Sequence, residues 1–330
     1  MIYYLPLEHI ERRYTALLDK QLMREFRKQN RPFIKIDGAL LTTKIETGAF
    51  LDSEGTNFYK FSQLQEVCKL FKEGIIKQDD TFFVSDLWFP GIEAIKYMAY
   101  FRGIRVNIKG LLHAGSFTET DYVRGLEDWV KWIEKGWFHS FDKIFLGSNF
   151  IKRELIEKGR IIDFKKLEVT GLPFIREDLY KIVKKLPWSK KENIIVFAGR
   201  LDDEKQPWQF DQVIKAFRKK YPKIPITAIK TLERNLNKVD YLKLLAKSKI
   251  FFSSALQENF GYSALEASAY NCNLILPDRL VYPEFYPQHC LYSDLDQVVD
   301  MIAKKLILSE DSYKYTLRHA NNIKNIVKKV

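Results

Sequence analysis

Short apolar runs alternate with helical stretches through both halves of the chain, and that alternation constrains the fold more than any other feature. In the first half, strand-like segments at 1–7, 31–37, 81–85, 104–112, 143–147 and 167–170 are separated by segments with helical apolar spacing. The clearest of these carries Tyr14, Leu17, Leu18, Leu22 and Phe26. Residues 38–60, with Gly38, Gly48, Gly55 and Asn57, show little periodicity and read as an irregular excursion before a helix at 62–73. The second half repeats the alternation, with strands at 193–199, 224–230, 249–253 and 273–277. Its helices include one opened by Pro207 and others at 238–247, 260–270, 294–307 and 310–328. The pattern predicts an α/β protein with two open, mostly parallel sheets, each covered by helices.

At 330 residues the chain is too long for one ordinary core. The boundary falls in the stretch Pro173 to Lys191, which holds two prolines, Lys-Lys and Ser-Lys-Lys runs and little apolar periodicity. The expected division is 1–175, 176–310 and a closing helix, 311–330, that crosses back to the first domain. Apolar runs such as 194–198 stay far below the ~20 residues of a membrane span. Charges directly after the first seven residues argue against a signal peptide. Cys68, Cys272 and Cys290 lack C-x-x-C spacing, so neither a disulfide framework nor a structural zinc site is expected, and a reducing cytoplasm fits.

The net charge of +12 is uneven. Residues 1–180 hold 28 Lys and Arg against 26 Asp and Glu, and residues 181–330 hold 26 against 16, which gives +2 and +10. A basic chain invites a nucleic-acid reading, and a Lys-rich solvated surface fits the same numbers. Several common chemistries are absent: no G-x-G-x-x-G follows a strand, and no G-x-x-x-x-G-K-[ST], H-E-x-x-H or G-x-S-x-G occurs. What remains is an α/β protein binding a ligand outside the carboxyl ends of its strands.

Two segments carry such chemistry. GRLDDEK (199–205) follows an apolar strand directly. Gly199 permits a sharp exit, and Arg200 and Lys205 share a loop just before a helix N-terminus, a suitable place for a diphosphate without metal. A solvated loop with its charges paired to Asp202, Asp203 and Glu204 is the plainer account. ENFGYSALE (258–266) places Glu258 before a helix, with Phe260 and Gly261 at the turn, and Glu266 within it. A carboxylate accepts two hydrogen bonds from a vicinal diol, the group that ribose and hexoses present. Glu258 as a simple acid before a helix N-terminus is again the plainer account, whereas Glu266 in an Ala-rich helix calls for a partner.

Together the two segments resemble the GT-B glycosyltransferases of the large retaining group-1 type. That family carries G-R-L-x-x-E-K after the first strand of its second domain and E-x-F-G-x-x-x-x-E about sixty residues on. The resemblance covers roughly 140–285, including FLGSNFIKRELIEKG (145–159) and Pro277 to Glu284. It implies two Rossmann-like domains facing across a cleft and transfer from a nucleotide-diphosphate sugar, UDP-sugar foremost, with no metal. Arg200 and Lys205 would hold the diphosphate, Glu266 the ribose and Glu258 the transferred sugar, while amides around Phe260, Gly261 and Tyr262 add donors. In the first domain the family's Gly-rich loop is replaced by LPLEHIERRYT (5–15). His113, ending a strand in LLHAG, and Asp86, in VSDLWFPG, are candidates for contacting sugar and acceptor, with Asp86 a candidate base. A structural histidine and a helix-capping Asp account for the same residues.

The acceptor is addressed by basic clusters in the first domain: Arg12 and Arg13; Arg24, Arg27, Lys28 and Arg31; Arg102, Arg105 and Lys109. Aromatics interleave with charges over 121–141. That pattern suits base stacking, and it also suits an amphipathic helix with Tyr122, Leu126, Trp129, Ile133 and Trp137 near one face. Compactness and the glycine-free first loop resemble virus-encoded glycosyltransferases that decorate hydroxymethylated DNA bases. The expected acceptor is therefore a hydroxymethylated base in double-stranded DNA, in a host cytoplasm if the chain is virus-encoded. The alternatives are a cell-surface glycan or lipid-linked saccharide, and a non-catalytic nucleic-acid-binding protein on the same scaffold.

Overall fold

The computed structural model describes residues 1–10, 14–42, 53–119, 122–161, 163–307 and 322–330. They form two compact units, Met1–Phe174 with Asn321–Val330, and Ile175–Ala320. The first unit holds β1 (Ile2–Leu5), α1 (Tyr14–Lys28), β2 (Phe33–Lys35), α2 (Ser53–Lys72), β3 (Thr81–Val84) and α3 (Glu93–Phe101). It continues with β4 (Asn107–Leu112), α4 (Glu127–Ser140), β5 (Lys143–Leu146), α5 (Asn149–Glu157) and β6 (Leu167–Val169). The strand order is β2-β1-β3-β4-β5-β6, and every pair is parallel. Parallel neighbours need crossovers, so the helices cover the faces and the strands read as apolar runs. Tyr3, Phe82, Ile108 and Ile144 from four strands are all buried against Val67, Phe71 and Ile95 from the helices.

The second unit holds α6 (Arg176–Ile182), β7 (Glu192–Phe197), α7 (Pro207–Lys220), β8 (Thr227–Lys230), α8 (Lys238–Lys247) and β9 (Ser248–Phe252). Then come α9 (Tyr262–Ala269), β10 (Asn273–Pro277), α10 (Tyr282–Phe285), β11 (Leu291–Tyr292) and α11 (Leu295–Ile307). This sheet is parallel too, in the order β11-β10-β9-β7-β8. The last helix, α12 (Ile323–Lys329), belongs to the first unit. Gln29 donates to the Lys324 carbonyl at 3.0 Å, and the Lys109 ammonium reaches the Val330 carbonyl at 3.1 Å. Residues 311–321 of the expected closing helix lie outside the described residues.

Each sheet has a switch point, where strands wind away in both directions. In the first sheet β1 has β2 on one side and β3 on the other; in the second β7 lies between β8 and β9. Loops leaving the carboxyl ends there diverge and open a crevice, the usual ligand position in such sheets.

Two helices differ from the sequence reading. α2 begins at Ser53, inside the stretch read as irregular. Its buried positions include the polar Lys60 and Gln63 beside Tyr59, Val67 and Phe71, so apolar periodicity does not reveal it. α4 spans Glu127–Ser140 and buries Val130, Glu134, Trp137 and Phe138. Leu126, Trp129 and Ile133, expected on its packing face, are exposed. The cause is Glu134, whose carboxylate is fully buried because Arg160, Ser116 and Trp88 all bond to it. A hydrophobicity pattern cannot assign a core position to a carboxylate. α6 occupies part of the stretch read as linker.

Candidate functional site

The loop after β7 turns back on itself at Gly199. A Cβ there would lie 3.0 Å from the Phe197 ring and 3.3 Å from Lys205 Cβ, which favours glycine. Arg200 forms an ion pair with Glu204 and lies 3.7 Å from Asp202. A tight helical turn, Asp203–Lys205, ends at Gln206 in the left-handed region, and Pro207 opens α7. Lys205 is only 9% exposed. Its ammonium donates to the Gln257 carbonyl and sits 3.6 Å from Glu258 Oε2 and 3.9 Å from Glu204 Oε1.

The loop after β9 is tied to this one by backbone and side chain. Leu256 N–H donates to the Glu204 carbonyl at 2.7 Å, and Ser254 Oγ donates to the Lys205 carbonyl at 2.9 Å. Arg279, after β10, donates to the carbonyls of Ser254 and Ala255 at 3.0 Å and to Gln206 Oε1 at 3.3 Å. Sequence reasoning missed Arg279, because a guanidinium that clamps carbonyls leaves no partner visible in the sequence.

Glu258 accepts the Gly261 N–H at 2.8 Å, so one carboxylate oxygen caps α9 while the other faces Lys205. Gly261 has φ +79°, a conformation that favours glycine. Phe260 is buried against Phe285, with ring centroids 5.5 Å apart, and packs edge-on to Tyr262. Glu266 is 6% exposed and pairs with Lys238 at the start of α8. Burial, and after it the Glu266 charge, hold the Tyr241 phenol well above its ordinary pKa. Lys238 and Tyr241 were also missed; each reads as an ordinary residue of an amphipathic helix. Arg200, Lys205 and Glu258 thus converge at the switch point of the second sheet, with Glu266 on the helix that follows.

In the first unit, Asp86 follows β3 and His113 follows β4, at the carboxyl edge. Asp86 is buried; Lys60 of α2 lies 3.4 Å from one oxygen, and Trp88 N–H donates to the other at 3.4 Å. Asp86 therefore caps its own loop and also holds a buried lysine that the sequence did not flag. His113 Nε2 bonds to the Ser85 carbonyl at 2.8 Å, and burial outweighs the Asp86 charge to lower its pKa.

Arg102 and Arg105 stand apart from the His113 loop. They lie between α3 and the start of β4, at the amino edge of the sheet. Arg102 donates to the Lys72 carbonyl, and Arg105 pairs with Asp79 at 3.1 Å. The six residues of β4 separate them from His113 by about 20 Å, so they do not join that loop cluster. Lys109 is engaged with the C-terminal segment, and Arg27 sits over the Phe33 ring. Arg12 and Arg13 lie outside the described residues. Among the described residues no group of three or more His, Cys, Asp or Glu could hold a metal ion, and no helix is long and apolar enough to cross a membrane.

No known family model matches the chain. Over 99% of its length it is similar to a UDP-forming α,α-trehalose-phosphate synthase from Burkholderia xenovorans, at TM-score 0.62 and 13% identity, covering 94% of that chain. The chain has the GT-B fold. A second GT-B structure, a sucrose-phosphate synthase from Thermosynechococcus elongatus, matches all of this chain and 94% of its own at TM-score 0.59 and 12% identity. In sequence, 59 residues are 44% identical to a tRNA-queuosine alpha-mannosyltransferase of Drosophila melanogaster. That match spans 18% of this chain and 16% of the relative.

Proposed function

We propose that the protein is a glycosyltransferase that moves a sugar from a nucleoside-diphosphate sugar, UDP-sugar foremost, to the hydroxyl of a hydroxymethylated DNA base, with retention. The observation that carries the reading is the convergence of Arg200, Lys205 and Glu258 at the switch point of the second GT-B sheet. A departing diphosphate develops negative charge. Two cations on one short loop, one of them only 9% exposed, are suited to bind that charge where water screens it poorly. Glu266 offers acceptor oxygens to a ribose diol, with Lys238 paired to it. Glu258 offers an acceptor to the transferred sugar. His113 and Asp86 serve the acceptor side. The name of the UDP-forming relative supports the donor class, and that of the tRNA-queuosine alpha-mannosyltransferase supports transfer of an α-linked sugar. The reaction is tested with a radiolabelled sugar nucleotide and duplex DNA containing hydroxymethylcytosine or hydroxymethyluracil. Incorporation is expected in at least one; label found only in a saccharide or lipid would overturn the acceptor assignment and leave the donor site standing.

Two further outcomes follow from the donor loops. Transfer is expected to persist in EDTA, because Arg200 and Lys205 supply the positive charge that a divalent ion would otherwise bring. Complete loss in chelator, restored by magnesium or manganese, would contradict this. Glu266→Gln is expected to weaken nucleoside-diphosphate binding, whereas Glu258→Gln mainly slows transfer, since the second carboxylate is the one beside Lys205. Titrating the diphosphate and measuring turnover in both variants decides it, and the reverse pattern would exchange the two roles.

A further inference from the structure

Four lysines are buried among the described residues: Lys60, Lys191, Lys205 and Lys305. Lys191 ends on the carbonyls of Ala246 and Ser248, at 3.0 and 2.7 Å, and so closes the end of α8. Lys60 and Lys205 instead face a carboxylate at the carboxyl edge of a sheet, Lys205 in the second unit and Lys60 in the first.

Lys60 enters from α2, the helix that crosses from β2 to β3. Its ammonium lies 3.4 Å from Asp86 Oδ2, donates to the Trp88 carbonyl and sits 5.8 Å from the centre of the Phe89 ring. All three contacts fall on the loop that leaves β3. The other Asp86 oxygen accepts the Trp88 N–H at 3.4 Å. His113, from the loop after β4, bonds to the carbonyl of Ser85, the residue just before Asp86. Burial lowers the His113 pKa; the Asp86 charge opposes that shift and the Lys60 charge adds to it. Side chains from three elements therefore meet at one point of the carboxyl edge.

A buried ion pair is a poor device for stability alone. Desolvation offsets much of the attraction, and apolar residues of similar volume commonly serve as well or better. Buried charges set against one another in this way concentrate at functional sites. Asp86 also keeps acceptor capacity, since a carboxylate offers about four lone-pair sites and the contacts with Lys60 and the Trp88 N–H take two of them.

We infer that Lys60 is a positioning residue for sugar transfer: it balances the Asp86 charge and fixes the direction of that carboxylate, so that the remaining lone pairs of Asp86 meet the acceptor hydroxyl. This rests on the proposed place of Asp86 on the acceptor side. It also narrows what Asp86 does there. A proton moved onto Asp86 would leave the Lys60 ammonium buried against a neutral acid, which is costly. The pair therefore orients the hydroxyl and does not take its proton.

The test compares Lys60→Met, Asp86→Asn and the double variant by kcat/KM for the acceptor, with nucleoside-diphosphate affinity measured alongside. Rates are taken on the duplex that accepts label, or on a saccharide if only that does. Lys60→Met is expected to lower kcat/KM for the acceptor at least about tenfold, as for residues in contact, and to leave diphosphate affinity within about twofold, as for distant sites. The double variant is expected to stay within about threefold of Asp86→Asn, because Lys60 has nothing to position once the carboxylate is gone. A Lys60→Met protein that strands Asp86 and does not fold leaves the double variant, which removes both charges, to decide. Normal acceptor kcat/KM in folded Lys60→Met beside a slow Asp86→Asn would overturn the inference and leave Asp86 on the acceptor side. So would a double variant at least about tenfold slower than Asp86→Asn, the result for residues that act independently. A normal Asp86→Asn would instead remove Asp86 from the acceptor side and this inference with it, and label in no acceptor would remove the transfer reading as well.

Discussion

Lys205→Ala is expected to lower sugar transfer at least about 100-fold, the scale typical of removing a preorganised group aimed at developing charge. Arg200→Ala is expected to act in the same direction. The two cations share the Glu204 carboxylate, but they sit in different surroundings. The Arg200 side chain is 40% exposed, so water screens part of its field. Lys205 is buried, and its removal leaves Glu204 and Glu258 facing the proposed diphosphate site with less compensation. The larger loss is therefore expected at Lys205. The bonds tying the two loops together, from Leu256 N–H and Ser254 Oγ, end on backbone carbonyls and survive either substitution. Steady-state rates with nucleoside-diphosphate affinities measured alongside are the check. Near-normal turnover in both variants, at unchanged donor affinity, would remove these residues from the site.

The architecture was legible because parallel sheets give each strand an apolar signature and each crossover a helical one. α8 and β10 lie where the pattern puts them, at 238–247 and 273–277. The convergence of the two charged loops of the second unit was legible for a different reason: their charged residues lie within two short segments. What escaped was polar and distant. Lys60 reaches Asp86 over 26 residues, Lys238 reaches Glu266 over 28, and Arg279 clamps carbonyls 24 and 25 residues away. Nothing in a single sequence pairs such residues. The same blindness hid the first turns of α2 and misdirected the face of α4, because Gln63 and Glu134 hold core positions that a hydrophobic pattern assigns to apolar side chains. Arg102 and Arg105 show the converse, nearness in sequence without nearness to the loops at the carboxyl edge. They form a cluster in sequence, but the chain places them at the amino edge of the sheet, away from His113.

Arg160→Met is expected to destabilise the first unit by about 3–5 kcal/mol, the range for stripping the partner from a buried charge. Glu134 is fully buried, and Arg160 is 5% exposed. The guanidinium Nε lies 3.2 Å from Glu134 Oε2, and another nitrogen of the same group, Nη2, pairs with Glu127. Without it the Glu134 carboxylate keeps the Ser116 and Trp88 donors but loses the one cation that pairs with it among the described residues. Those two donors carry the effect to the candidate site, since Trp88 lies just after Asp86 and Ser116 just after His113. A Cβ on Gly115 would fall 2.9 Å from Glu134 Oε1, so glycine is what lets the His113 loop lie against the carboxylate. The pair thus pins the loops after β3 and β4 to one point. Glu134→Leu combined with Arg160→Met removes both charges and is expected to recover part of the stability, but not all, because Ser116 N–H and Trp88 Nε1 are left without their acceptor. Urea unfolding of the two variants beside the unaltered protein measures both terms, with the caution that a two-unit chain can unfold in two steps and the first unit's transition must be followed separately. A single variant within about 1 kcal/mol of the unaltered protein would show that Glu134 does not depend on Arg160, and the account of how α4 acquired its buried face would fall with it.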